Sequence, residues 1–364
     1  MDGFRACFGE LADPRSGNAQ RHELDEIMMI ALVATLCGAE SCVDMALFGR
    51  GKEPLLRRFL RLPGGIPSHD TFSRIFRLLD PDAFEACFAR YLGALSERVE
   101  GVVAIDGKTA RRSFDRQNHR PPLHLISAWA CEQRLVLGQR RVDDGANEIV
   151  ALPELLALLA LDGCIVTADA MHCQKDTAQA ILARGGDYVL ALKANQPALH
   201  EDVRLLLDDP DAPPDDLATT TDGDHGRIET RCAAVLYDVA WLAESHAFCG
   251  LSAVGKVTAA REQDGRTTTA TRYYLLSRPL SAARFLAVVR AHWQIENRLH
   301  WVLDVVLDED LARARKDHAP ENLARLRRFA LNVLRANQDQ GSTRGKIKRA
   351  GWDDAFLLNL LATA

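Results

Sequence analysis

"VVAIDGKTARRS", residues 102–113, decides how the rest of the chain is read. Its first four residues are the apolar run of a buried strand. The run stops at a carboxylate, Asp106, and Lys108, Arg111 and Arg112 follow at once. Burying an unpaired acid is costly and is normally avoided. A strand that ends on one sets it at the rim of a core, where sheet-based sites collect their functional groups.

Two more acids occupy similar places. Asp169 closes the apolar strand of "GCIVTADAMHCQ", residues 163–174. Glu296 lies in "RFLAVVRAHWQIENRLHWVLDV", residues 284–305. With Val289, Trp293, His300 and Leu303 at spacings of three and four, it falls in the apolar stripe of a helix and is expected to face inward. Each acid alone has a mild reading: a strand-end Asp caps a turn, and a helix Glu pairs with a nearby Arg. Together they form a hard-oxygen donor set suited to divalent cations, two of which would activate the attacking water or hydroxyl and stabilise the leaving oxygen of a phosphodiester. Like charges held together without metal should also take up a proton more readily.

Around these acids the texture changes along the chain. Residues 1–95 are patterned as helices. Within them "IPSHDTFSRIFRLLD" reads either as the second half of a helix-turn-helix, presenting Arg74 and Arg77, or as a helix packed in a small bundle. From residue 100 the runs "VVAID", "LHLISAWA", "RLVLGQRRV", "NEIVALPELLALLAL", "CIVTADAM", "CQKDTAQAILARGG" and "YVLALK" give the order β-β-β-α-β-α-β. That order predicts a mixed sheet covered by helices. Strands return in "RIETRCAAVLYDV" and in "LSAVGKVTAAREQDGRTTTATRYYLLS", whose Asp264-Gly265 is a two-residue hairpin turn. The expected divisions are 1–95, 96–216, 217–278 and 279–364, the third a β-rich insertion.

Composition narrows the chemistry. The 364 residues carry a net charge of -5, so a polyanion would have to be held by local patches. One such patch is residues 313–350, with eleven Lys/Arg against three Asp/Glu. The nine cysteines include no CxxC pair, which argues against a disulfide framework and a structural zinc site. His172 and Cys173 beside Asp169 lack companion ligands, and "GRGK" at 49–52 lacks the context of a phosphate-binding loop. Met171 and Trp293 are expected in the core. No apolar run is long enough for a bilayer, and a soluble cytoplasmic protein with no membrane partner is expected.

At this point the chain resembles the DDE transposases of bacterial insertion sequences, in particular the ISAs group and the H-repeat-associated proteins. The resemblance is carried by "GIPSHDTFSRIFRLLDPDAF", "AIDGKTARRS", "ANEIVALPELL", "GCIVTADAMHCQ", "GDYVLALKANQP", "HGRIETR", "HWQIENRLHWVLDV" and "APENLARLRR", in that order. It implies an α/β, RNase H-like mixed sheet with flanking helices, an N-terminal all-helical domain, and a β-rich insertion before the last catalytic helix. Asp106, Asp169 and Glu296 would be the catalytic metal ligands for two Mg²⁺ ions, with Mn²⁺ as substitute. The implied activity is cleavage at insertion-sequence ends and 3'-hydroxyl strand transfer, of the cut-and-paste type. The implied partners are double-stranded DNA, as terminal inverted repeats and target, and a second copy of the chain in a synaptic homodimer. Intervals of 63 and 127 residues between the acids leave room for the insertion.

Wider relatives carry Tyr, Arg, Glu and Lys around the third acid, where this chain has Val289, His292, Glu296 and Leu303. Arg290, Arg298 and His300 are possible substitutes for the missing DNA contacts. Lys108, Arg111, Arg112, Lys193, Arg227 and Arg231 complete the candidates for holding phosphates. Two other readings stay open. One is a domesticated DNA-binding protein without catalysis. The other is a haloacid-dehalogenase-like phosphatase, whose nucleophile loop "AIDGKT" would match but for Lys108 in place of an acid.

Overall fold

The computed structural model describes residues 2–95, 99–224 and 227–362. The division expected between 95 and 96, and His225 and Gly226 of "HGRIETR", touch on or lie outside the described residues. Nine strands form one mixed sheet: β1 (Val102–Thr109), β2 (His124–Ala130), β3 (Leu135–Arg141), β4 (Ile165–Ala168), β5 (Asp187–Leu192), β6 (Asp216–Asp224), β7 (Arg227–Leu236), β8 (Ala253–Gln263) and β9 (Arg266–Leu276). Their order in space is β3-β2-β1-β4-β5-β9-β8-β7-β6. β1 is antiparallel to β2 and parallel to β4, and β5 is parallel to β4 and antiparallel to β9. Parallel neighbours need a crossover. The helices Glu148–Ala157 and Lys175–Leu182 lie in the two connections, so the expected element order through β5 is found.

The alternation of side chains along β1 builds both layers at once. Val103 and Ile105 join the core that includes Leu152, Leu155 and Ile181, while Val102 and Ala104 join the one that includes Phe285, Val288 and Phe329. Covered on both faces, the strand reads as an unbroken apolar run. Each large aliphatic so buried contributes roughly 1.5–3 kcal/mol. By the same alternation Asp106 shares the face of Val102 and Ala104, on the side of the helix Ala282–His292, and Gly107 shares the other.

The strands of residues 216–276 continue the same sheet past β5. β8 and β9 meet at Gln263 and Arg266, with Asp264 and Gly265 at φ of 51° and 70°, the two-residue turn read from the sequence. A short helix, Ala240–His246, stands between β7 and β8, where only strands were expected.

The helix Ala319–Ala336 ties the chain's two ends together. It packs on the helix Leu24–Leu36, and its Phe329 sits among Phe4, Phe8, Phe88 and Tyr91. Here the structure narrows the basic C-terminal segment read as a patch for polyanions: Arg313, Lys316, Arg344, Lys348 and Arg349 are exposed, but others are not. Arg325, Arg327 and Arg328 are buried. Arg325 bonds Glu85 and, at 3.1 Å, Glu321, and Arg328 bonds Glu309 at 2.6 Å. A buried cation must be paired, so these charges are spent inside the fold. The helix His69–Leu78 likewise buries Phe72, Ile75 and Phe76, and Arg77 pairs with Asp317 at 2.7 Å, leaving Arg74 exposed. Among the described residues no helix is long and apolar enough to cross a membrane.

Candidate active site

Asp106, Asp169 and Glu296 line one cavity of about 210 Å³, together with Thr167, Lys193, Arg272, Tyr274, His292 and Trp293. Pairing of β1 with β4 brings the first two together: Ile105 lies opposite Ala168, so the next residue on each strand is an aspartate. Asp169 also opens the tight turn Ala170–His172, where its carboxylate accepts the Met171 N–H at 3.1 Å. This is an N-cap bond of the kind aspartate makes well.

Glu296 arrives by a different device. After the helix Ala282–His292 the chain widens into a π-turn, Ile295–His300. Ile295, Leu299 and His300 turn inward while Trp293 and Glu296 are exposed on the cleft. The inward stripe expected from regular α spacing is corrected accordingly, because the wide turn shifts the phase. Trp293, 45% exposed, and Met171, 37% exposed, are surface residues and not core. His300, read as a DNA contact, is instead buried with Nδ1 3.5 Å from Asp106 Oδ2. Burial, reinforced by Arg328 and Lys108, pushes its pKa down to about 3, so it is neutral. His292 is held down to about 4 by burial, and its Nδ1 lies 3.0 Å from the Thr167 hydroxyl.

Asp106 is pushed up to about 7, first by burial, then by the charge of Glu296, with Glu148 and Asp169 adding to it against the Gly107 amide. A carboxylate that resists ionisation because it is buried and other anions face it lacks a counter-charge. Among the described residues no three His, Cys, Asp or Glu side chains form a ready metal-holding group. The donor chemistry nonetheless fits a hard divalent cation: three carboxylates on one cavity, one of them raised to about 7 by burial and by the other acids.

A pH dependence follows. The folded pKa of Asp106 exceeds its ordinary value, so the metal-free fold is favoured by this group below about pH 4 and loses that contribution as pH rises through about 7. Metal-free protein should therefore lose thermal stability relative to Asp106→Asn between pH 5 and pH 8. Melting curves of the two proteins at both pH values check this, and parallel shifts would refute it.

The candidate cations separate into groups. Lys193 is exposed at the cavity with Arg272, which lies 5.3 Å over the Trp293 ring. Lys108 is no free phosphate guide: it is buried, with Nζ 2.6 Å from Asp304, 3.3 Å from Asp310 and 3.5 Å from Glu309. Arg111 and Arg112 are exposed just beyond it. Arg227, Arg231 and Arg290 line a neighbouring groove with Arg261 and Arg272, but are engaged by Glu229 and Asp222. Arg298 is exposed. Sequence reasoning missed Arg272 and Glu148. The signal for Glu148 was Gly107, since a glycine inside a strand marks the close approach of another group.

Comparisons with known proteins identify the family. The family model described as "Transposase DDE domain" matches residues 97–333, and one described as "DDE_Tnp_1-associated" matches residues 5–92. A protein encoded in the dhlA 3' region of Xanthobacter autotrophicus is 45% identical, over 74% of this chain and 92% of its own. The H repeat-associated YhhI of Escherichia coli K12, whose name assigns it provisionally to the transposases, is 35% identical over 94% of this chain and 93% of its own. Among solved structures, a piggyBac transposase synaptic complex with hairpin DNA aligns with 99% of this chain and 77% of that one, at 11% identity and a TM-score of 0.44, too slight a likeness to argue from.

Proposed function

The chain belongs to the transposase DDE-domain family, and on that premise we propose that it cuts DNA at the ends of a mobile element and joins the freed 3'-hydroxyls to target DNA, as a cut-and-paste transposase. One observation supports this above the others: three acids 63 and 127 residues apart in sequence line a single cavity. The run β3-β2-β1-β4-β5, antiparallel then parallel, is read as an RNase H-like core made from 96–216 and 279–364. On this reading 1–95 is the associated helical domain and 217–278 the insertion.

Asp106, Asp169 and Glu296 would hold Mg²⁺, or Mn²⁺ in its place, at two ions per site. Bound there, the metal supplies an activated water or hydroxyl and neutralises charge developing on phosphorus. The protein's own part is to arrange these groups. Asp106 would give up its proton as such a cation binds, and His292 and His300, both held well below the ordinary histidine range, bring no competing positive charge. Lys193 and Arg272 at the rim, with the exposed Arg111 and Arg112 beyond, would take backbone phosphates of double-stranded DNA. Joining two element ends would call for a homodimer, and target DNA as a partner fits a cytoplasmic protein.

The test is to incubate DNA carrying the element's ends with the protein and Mg²⁺. The expected product is a nick at the element end with a 3'-hydroxyl, lost when the cation is chelated. Binding of the same DNA without nicking in either Mg²⁺ or Mn²⁺ would overturn the reading in favour of a domesticated DNA-binding protein.

A further inference from the structure

A polar cluster on the other face of β1 has no part in the chemistry so far. Gly107, next to Asp106, leaves room that the Glu148 carboxylate fills: a Cβ added there would stand 2.3 Å from its Oε1. Glu148 opens the helix Glu148–Ala157, and its two oxygens take two different histidines. His124 Nε2 donates to Oε1 at 2.7 Å, and His172 Nε2 donates to Oε2 at 2.9 Å.

Each histidine leads to one of the aspartates. His124 begins β2 opposite Thr109, whose hydroxyl lies 2.7 Å from its Nδ1, so this limb grips the strand end just past Asp106. His172 ends the turn that Asp169 begins and is 1% exposed, with Nδ1 unpartnered among the described residues. On its far side the turn is tied to the loop after β5, where the Asn195 amide donates to the Ala170 carbonyl at 2.7 Å and the Gln196 amide to the Cys173 carbonyl at 3.2 Å. Burial opposes a charge on Glu148, yet the two imidazoles hold its carboxyl down at about 2.

We propose that Glu148 is a positioning residue: its one carboxylate, spanning His124 and Gly107 on one side and His172 on the other, sets the separation of Asp106 and Asp169. Groups behind metal ligands commonly alter metal affinity 10- to 100-fold when removed. The proposal rests on the function inferred above, and its test keeps the two apart.

Mn²⁺ binding is measured on the full chain without DNA by electron paramagnetic resonance, alongside a mobility shift with element-end DNA. Glu148→Gln and His172→Gln are each expected to weaken Mn²⁺ binding by about 10-fold or more with DNA binding unchanged. His172→Gln leaves the Glu148 carboxylate in place, so an effect there does not come from loss of that acid. The double variant should be little weaker than the worse single one, because both changes break one clamp. Wild-type Mn²⁺ affinity in either variant, additive losses, or loss of DNA binding in parallel would overturn the proposal. Asp169→Asn is the reference. If it alone weakens Mn²⁺ binding, the positioning role falls; if it too binds normally, the metal-ligand reading falls with it. Should Glu148→Gln not fold, His172→Gln decides by the same criterion.

Discussion

Asp169→Asn or Glu296→Gln is expected to lower Mg²⁺-dependent nicking of element-end DNA by about 10²- to 10³-fold or more, the usual scale for removing one charge-stabilising group from a reaction centre. Both side chains are exposed in the cleft, so little of the fold depends on them. Asn at 169 still accepts the Met171 N–H, which keeps the turn intact. A gel assay of nicked product, run with a mobility shift on the same protein, separates chemistry from binding. Nicking within tenfold of wild type in either variant would mean that the acid concerned is not at the reaction centre.

The second large effect concerns stability. Glu309 is buried, with Arg328 Nη1 at 2.6 Å and Lys108 Nζ at 3.5 Å. Burial works against its ionisation, but Arg328, Lys108 and Arg327 together keep its carboxyl below the usual range. Glu309→Gln leaves buried cations facing one another without their shared anion. Removing one partner of such a pair costs about 3–5 kcal/mol. A urea titration should show a large fall in the unfolding midpoint, while Glu201→Gln, which breaks the exposed pair with Arg204, should barely move it. A fall no larger than that of Glu201→Gln would mean that the Arg328 contact carries no weight in the fold.

Elements whose signals are local were readable before any coordinates. The strand and helix order through β5 follows from apolar runs and their periods, and the Asp264-Gly265 turn from the backbone freedom of its two residues. The acids Asp106 and Asp169 stood out because strand ends are fixed by the same runs that bury the strand. What stayed hidden depends on distant partners. Arg325 and Arg328 look like surface charges until Glu85 and Glu309 are brought to them by the fold. Lys108 follows an acid in sequence and was read as a phosphate guide, but its partners lie about two hundred residues away at Asp304 and Asp310. Glu148 looked like an ordinary acid in the first turn of a helix, where the dipole favours it. Its two histidines are each 24 residues off, in opposite directions.

The π-turn at Ile295–His300 has a consequence for how this region can change over time. A π-turn is an α-helix carrying one surplus residue. Deleting one position between 295 and 300 would restore regular α winding at this point and leave the helix beyond it close to its present phase. Asp304, the partner of Lys108, would keep its side of the helix, while Glu296 would lose the wide turn that carries it onto the cleft. Chain length in this stretch therefore shapes the cleft as side-chain identity does. A relative that differs by a single gap in this stretch would present another residue at the place of Glu296, even where the flanking letters agree.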